Sequence, residues 1–131
     1  MHTTSLKLLR LAAIFGFTAV GIGAFGAHGL KPLLPETQVA IFEKGVQYQF
    51  YHTLALALTG ILVQYVPEKR PLQWAGWLFV AGILAFSGSL YLLACKDIIP
   101  FSVALAGPIT PLGGLCFLSG WALIFWSLWR R

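Results

Sequence analysis

The residues of this chain best suited to chemistry are His28 and His52. An imidazole changes charge near neutral pH and can bind metal or relay protons. The second histidine belongs to a stripe. Tyr48, Gln49, His52 and Thr59 recur at spacings of three, four and seven, which places them on one side of a helix. Polar groups at membrane depth are costly, so such a stripe turns inward and is a candidate site by default. With Glu43 beside it, and Glu36 or Tyr51 in support, this set outlines a small polar site near the outer end of the helices. It would bind a metal, relay protons or grip a headgroup. The plainer reading gives each histidine one interhelical hydrogen bond, the usual way buried polar groups are satisfied.

Most specific chemistries are excluded at this stage. A metal site wants three or four ligands, so two histidines predict none. A haem held axially by His28 and His52 is disfavoured because His28, next to Gly29 at a helix end, is poorly fixed. Gly21-Ile22-Gly23-Ala24-Phe25-Gly26 matches the GxGxxG spacing, but no strand precedes it. Cys95 and Cys116 form neither a CxxC pair nor a zinc spacing and read as small packing residues. No cofactor is expected.

The elements that must position these residues are membrane helices. Of 131 residues 58% are hydrophobic and only 10% charged, against about 25% in soluble domains. The mean hydropathy is +0.80. The nine Lys and Arg, giving a net charge of +5, are scattered in ones and twos at the ends of apolar runs and make no nucleic-acid-binding stripe. A span needs about 20 apolar residues. Charges and prolines divide the chain into four, at approximately 8–28, 46–66, 72–95 and 111–129, all within one membrane domain over 1–131. The last is set to begin near Pro111, because Pro100, Pro108 and Pro111 disfavour helix before them. An outer amphipathic segment at 36–48, opened by Pro35, leads into the second helix. The expected fold is an all-α bundle of four transmembrane helices.

Charge sets the orientation. Lys7, Arg10, Lys69, Arg70, Arg130 and Arg131 share one side, while Lys31, Lys44 and Lys96 share the other with Glu36, Glu43 and Asp97. Six cations against three place both termini in the cytoplasm. Tyr65, Trp74, Trp77, Trp126 and Trp129 form an aromatic belt on the same side. The competing reading, a secretory signal peptide cut near Ala27, would leave three spans.

Membrane helices associate through small residues that let backbones approach. Ala19, Gly23 and Ala27 supply such a face on the first helix, Gly82, Gly88 and Ser89 on the third, and Gly113, Gly114 and Gly120 on the fourth. The second helix shows none. A faint repeat at an offset of 60 or 61 residues (Ala24-Phe25-Gly26-Ala27 against Ala85-Phe86-Ser87-Gly88) relates the first helix pair to the second.

Four blocks carry a resemblance. Gly23-Ala24-Phe25-Gly26-Ala27-His28-Gly29-Leu30, Tyr48-Gln49-Phe50-Tyr51-His52-Thr53-Leu54-Ala55, Phe86-Ser87-Gly88-Ser89-Leu90-Tyr91 and the run from Thr110 to Trp121 occur in the order found in one family. The chain resembles the small membrane proteins that include the bacterial inner-membrane protein YgdD. The resemblance implies a multi-span protein of the bacterial cytoplasmic membrane, with the first segment retained, and supplies no activity. On the residues alone, a binding or accessory protein is favoured, with membrane lipid, a further copy or a larger membrane protein as partner. An oligomeric transporter or channel subunit comes second, and an enzyme on lipid or quinone substrates third. No span carries Asp, Glu, Lys or Arg at its centre, which counts against an ion-coupled pump.

Overall fold

The computed structural model describes residues 1–130, and every regular element among them is a helix. Helix α1 (Thr3–Phe25) continues through a π turn at Gly26–Leu30 and stops ahead of Pro32. Helix α2 (Glu36–Tyr65) has Pro35 as its N-cap residue and Glu36 in its first turn, where a carboxylate suits the helix dipole. It ends because Pro67 forces the residue before it out of helix. Val66 is accordingly extended, at φ −93° and ψ 127°. Helix α3 (Arg70–Gly82) carries Pro71 in its first turn. A π turn at Ile83–Ser87 joins it to α4 (Gly88–Ala94), so the two form one rod. Helix α5 (Ala106–Trp129) completes the bundle.

The start of α5 corrects the expectation of a helix beginning near Pro111. It begins five residues earlier, at Ala106. Pro108 lies in the first turn, where its missing N–H has no helical partner to lose. Pro111 sits inside the helix and removes one backbone bond, a defect that packed membrane helices absorb. The Thr110 hydroxyl donates to the Ala106 carbonyl at 3.0 Å in this same turn.

Two antiparallel hairpins make the bundle, α1 with α2 and the α3–α4 rod with α5. Their pairing is seen where glycines face the neighbouring helix. Gly16 faces the Thr53 methyl and Gly23 faces Val46. In the second hairpin Gly82 meets Phe117 and Gly120 meets Phe79. The starts of α1 and α3 lie side by side, Leu8 packing on Gly76. The chain termini and the α2–α3 loop therefore share one end, the terminal end, and the α1–α2 and α4–α5 loops share the loop end. A core of Leu8, Leu56, Val63, Leu72 and Phe79, all fully buried, fills the terminal half. Leu30, Leu34, Phe42 and Ala94 form a smaller core towards the loop end.

Three of the rods, Thr3–Leu30, Arg70–Ala94 and Ala106–Trp129, are long and apolar enough to cross a membrane. Helix α2 differs in composition. Its 30 residues span about 45 Å, but Gln47, Gln49, His52, Thr53 and Thr59 dilute its apolar run. Most of those polar residues are buried between the other helices. Large apolar side chains such as Phe17, Val20, Leu84, Leu118 and Phe125 face outwards from α1, the α3–α4 rod and α5, as lipid-facing surfaces require.

Candidate functional site

Helix α2 is the axis of the site because it carries most of the buried polar side chains among the described residues. Gln49 is the hub. The Tyr91 hydroxyl of α4 donates to its Oε1 at 2.6 Å. Its Nε2 donates to the Phe15 carbonyl at 2.9 Å and to the Thr18 hydroxyl at 3.0 Å, both on α1. One amide thereby ties three helices together with its donors and acceptor engaged. Near it the buried Ser87 hydroxyl donates to the Gly45 carbonyl at 2.7 Å. Towards the terminal end Ser5 donates to the Gly60 carbonyl at 2.6 Å and accepts from Gln64 Nε2 at 2.5 Å. At the loop end Gln38 Nε2 donates to Asp97 at 2.7 Å. Thr59 spends its hydroxyl within its own helix, on the Ala55 carbonyl at 2.7 Å.

His52 has a second environment, between α2 and α5. Its Nδ1 lies 2.8 Å from the Tyr48 carbonyl, and the Trp121 indole N–H donates to its Nε2 at 3.2 Å. An indole nitrogen only donates, so Nε2 accepts and Nδ1 carries the proton. The imidazole stacks on Phe117 with centroids 3.5 Å apart and planes at 8°. Tyr48 stacks on it from the preceding turn, at 5.8 Å and 21°. Tyr48, His52, Phe86, Phe117 and Trp121 line an open groove of about 390 Å³ on the flank of α5.

A third environment lies at the loop end, where α1 and α2 diverge. Gly23, Gly26, Ala27, Leu30, Phe42 and Val46 wall a cleft of about 230 Å³, with Glu43 and Gln47 at its rim. A further cleft of about 380 Å³ adjoins it at Leu34, Val39 and Glu43 and adds Lys31 and Glu36. The apolar depth and the charged mouth suit an amphipathic molecule. Among the described residues no three His, Cys, Asp or Glu gather as metal ligands would.

The residues singled out by sequence are thus distributed over separate places. Tyr48 and His52 share the α5 groove, Gln49 sits at the interior hub, Glu43 edges the loop-end cleft, and Thr59 lies apart towards the terminal end. The two histidines do not meet. His28 is exposed in the π turn of α1, whereas His52 is level with Gly16, midway along α1. Twelve residues of α1 separate Gly16 from His28, about 18 Å along the axis. This corrects the placing of His52 near the outer face: α2 has four turns ahead of it, because the amphipathic segment is part of the same rod.

The small residues also divide. Ala19, Gly82, Gly113 and Gly120 are buried at crossings. A methyl group added at Gly113 would strike the Phe86 backbone nitrogen, so α5 rides directly on the π turn of the α3–α4 rod. Buried Ser89 bonds the Thr110 hydroxyl at 2.6 Å. Gly23 is in looser contact with Val46, and Ala27 borders the loop-end cleft. Gly88 has open space around it, and Gly114 nearly so. Helix α2 proves to have close-packing glycines after all. A Cβ on Gly45 would lie 2.7 Å from Tyr91, and one on Gly60 would lie 3.0 Å from Leu9. Sequence reasoning passed over these two because they are fifteen residues apart and form no small-xxx-small pattern. It also passed over Tyr91, Ser87, Thr18 and Trp121, whose polar atoms matter only through partners on other helices.

The sequence of this chain matches the family model described as "Protein of unknown function (DUF423)" over residues 22–114. It is 41% identical over 120 residues to the UPF0382 membrane protein SH2409 of Staphylococcus haemolyticus, covering 92% of this chain and 93% of that one. It is 43% identical over 114 residues to the UPF0382 membrane protein YwdK of Bacillus subtilis, covering 87% and 89%. No solved structure matches. With a family model matching well over half its length and near-full-length relatives that are membrane proteins, the chain belongs to the DUF423 family and is an integral membrane protein.

Proposed function

We propose that this protein is a binding or accessory protein of the bacterial cytoplasmic membrane, with four spans and both termini in the cytoplasm. The ligand is a membrane lipid seated in the loop-end cleft. The fourth span is α2, whose length suffices and whose polar side chains are shielded from lipid by its neighbours. The orientation is supported by charge. Among the described residues the terminal end holds Lys7, Arg10, Lys69, Arg70 and Arg130 against Glu68, while the loop end balances Lys31, Lys44 and Lys96 against Glu36, Glu43 and Asp97. Exposed Tyr65, Trp74 and Trp129 at the terminal end fit an interfacial belt. The curated relatives are bacterial, and proteins of the bacterial outer membrane are barrels, so helical spans point to the cytoplasmic membrane. The likeness to the family that includes YgdD agrees.

The observation that carries the ligand assignment is the cleft itself. Its walls are apolar and small-residue lined, and its mouth offers a carboxylate and an amide. A transport pathway lacks comparable support, because Gln49, Tyr91 and Ser87 are occupied in pinning helices and Thr59 is satisfied within its own helix. The test is photo-crosslinking in native membranes from a benzophenone residue at Val39. Enrichment of one lipid class over that captured from exposed Leu115 supports the reading. Identical adduct profiles at the two positions would mean bulk lipid, and the assignment would fall.

A further inference from the structure

A cleft at the terminal end is independent of the site described above. Thr4 of α1 and Arg70, Gln73, Trp74 and Trp77 of α3 line a space of about 300 Å³. Arg70, Gln73, Trp74 and Trp77 fall at spacings of three, four and seven and so share one face of α3. The packing of Leu8 on Gly76, one turn deeper, fixes α1 against α3 and holds the two sides of the cleft together. Lys7, exposed and three residues beyond Thr4, stands on the same face of α1. Among the described residues, Thr4, Arg70 and Gln73 make none of the side-chain bonds that tie the helices, and Trp74 and Trp77 are 62% and 41% exposed.

We propose that this cleft binds the phosphodiester headgroup of an anionic phospholipid. The chemistry of the lining selects that class. A guanidinium recognises phosphate through paired N–H donors. The Gln73 amide and the Thr4 hydroxyl supply hydrogen bonds for the ester oxygens or a glycerol hydroxyl. Two tryptophans at the cleft's membrane side seat the top of the acyl chains, the depth at which indoles concentrate. The surrounding charge agrees: Lys7, Arg10, Lys69 and Arg70 stand against Glu68 as the carboxylate of this end among the described residues. Clusters of this kind beside membrane helices attract anionic lipid. The loop end, with three cations and three carboxylates, carries no such bias.

Native mass spectrometry of the full-length protein in mild detergent tests the assignment, with phosphatidylglycerol and phosphatidylcholine of identical acyl chains added at equal concentration. Retention of phosphatidylglycerol should exceed that of phosphatidylcholine by about fivefold or more, the weight of one interfacial cation. Arg70→Gln should abolish that preference, and Arg130→Gln, at the same end but outside the cleft, should keep it. Equal retention of the two lipids overturns the proposal. So does an equal loss in Arg130→Gln, which would assign the preference to the charge of the whole end. Soluble glycerol phosphate should not displace the lipid at equal concentration; if it does, the site is for a free phosphate ester. Should Arg70→Gln fail to fold, Arg70→Lys and Gln73→Leu take its place, since the lysine keeps the charge but loses the paired donors. An unchanged preference in both folded variants overturns the proposal. The readout is at the opposite end from Val39, so either lipid assignment can fail without the other.

Discussion

At the scale of single residues, Gln49 organises the interior. Three heavy atoms from three other residues converge on its amide, and each hydrogen bond crosses between helices. In lipid an interhelical hydrogen bond is worth about 0.6 kcal/mol on average and up to about 2. Gln49→Leu removes three such bonds and strands the Tyr91 hydroxyl, so a loss of about 1–3 kcal/mol is expected in unfolding titrations in mixed micelles. Tyr91→Phe removes one bond and leaves one amide acceptor free, for a loss of about 1 kcal/mol. The double variant should cost less than the two losses combined, because the second change finds the pair already broken. Strict additivity would show that the 2.6 Å contact contributes nothing. His52 behaves differently. Its stack on Phe117 is retained by another aromatic ring, so His52→Phe should leave membrane accumulation within about twofold of the parent, measured on immunoblots of membranes. Failure to accumulate would make the Trp121–His52 bond essential to the fold.

At the scale of elements, what the sequence revealed and what it withheld have physical causes. Rods were legible because apolar length and charge placement act locally. Pro67 and Pro32 mark helix ends for the same reason, since proline acts on its own neighbourhood. The start of α5 was not legible, because a proline tolerated in a first turn and a proline that breaks a helix look alike until the turn is located. The polar stripe of α2 was legible as inward-facing from its period. Its division between a hub at Gln49 and a groove at His52 was not, because adjacent helices decide it: Tyr91 comes from α4 and Trp121 from α5. Glycine shows the same limit. Gly88 and Gly113 have the same residue type and similar settings in sequence, yet one faces open space and the other a neighbour's backbone. Gly88→Ala should therefore change stability by less than about 0.5 kcal/mol. Gly113→Val must push α5 off the Phe86 backbone and should cost about 3 kcal/mol or more, seen as loss of the monodisperse peak on size exclusion. Equal behaviour of the two variants would mean that α5 does not ride on the π turn.

At the scale of the whole molecule, the bundle is a charged-end, greasy-waist object whose two ends differ chemically. The end with the termini carries the cationic excess, and positive charge near a span resists translocation. On the proposed topology a reporter that works only in the cytoplasm is active when fused after the last residue, and one that works only outside is silent there. The sharper prediction concerns the α2–α3 loop. Lys69 and Arg70 are the only Lys or Arg between Lys44 and Lys96, so on that topology they alone would hold the loop on the cytoplasmic side against the balanced loop end. Lys7 and Arg10 hold the N-terminus by the same rule. Neutralising all four with glutamine leaves Arg130 and Arg131 as the remaining cytoplasmic anchors, against Lys31, Lys44 and Lys96 on the other face. That reverses the balance, so a mixed or inverted population is expected, read as activity of the outside-only reporter at the C-terminus. Neutralising Lys31, Lys44 and Lys96 instead should strengthen the original orientation. If the fourfold variant keeps a purely cytoplasmic C-terminus, charge does not set the topology. The small-residue crossings and the Gln49 hub would then have to carry orientation through the assembled fold.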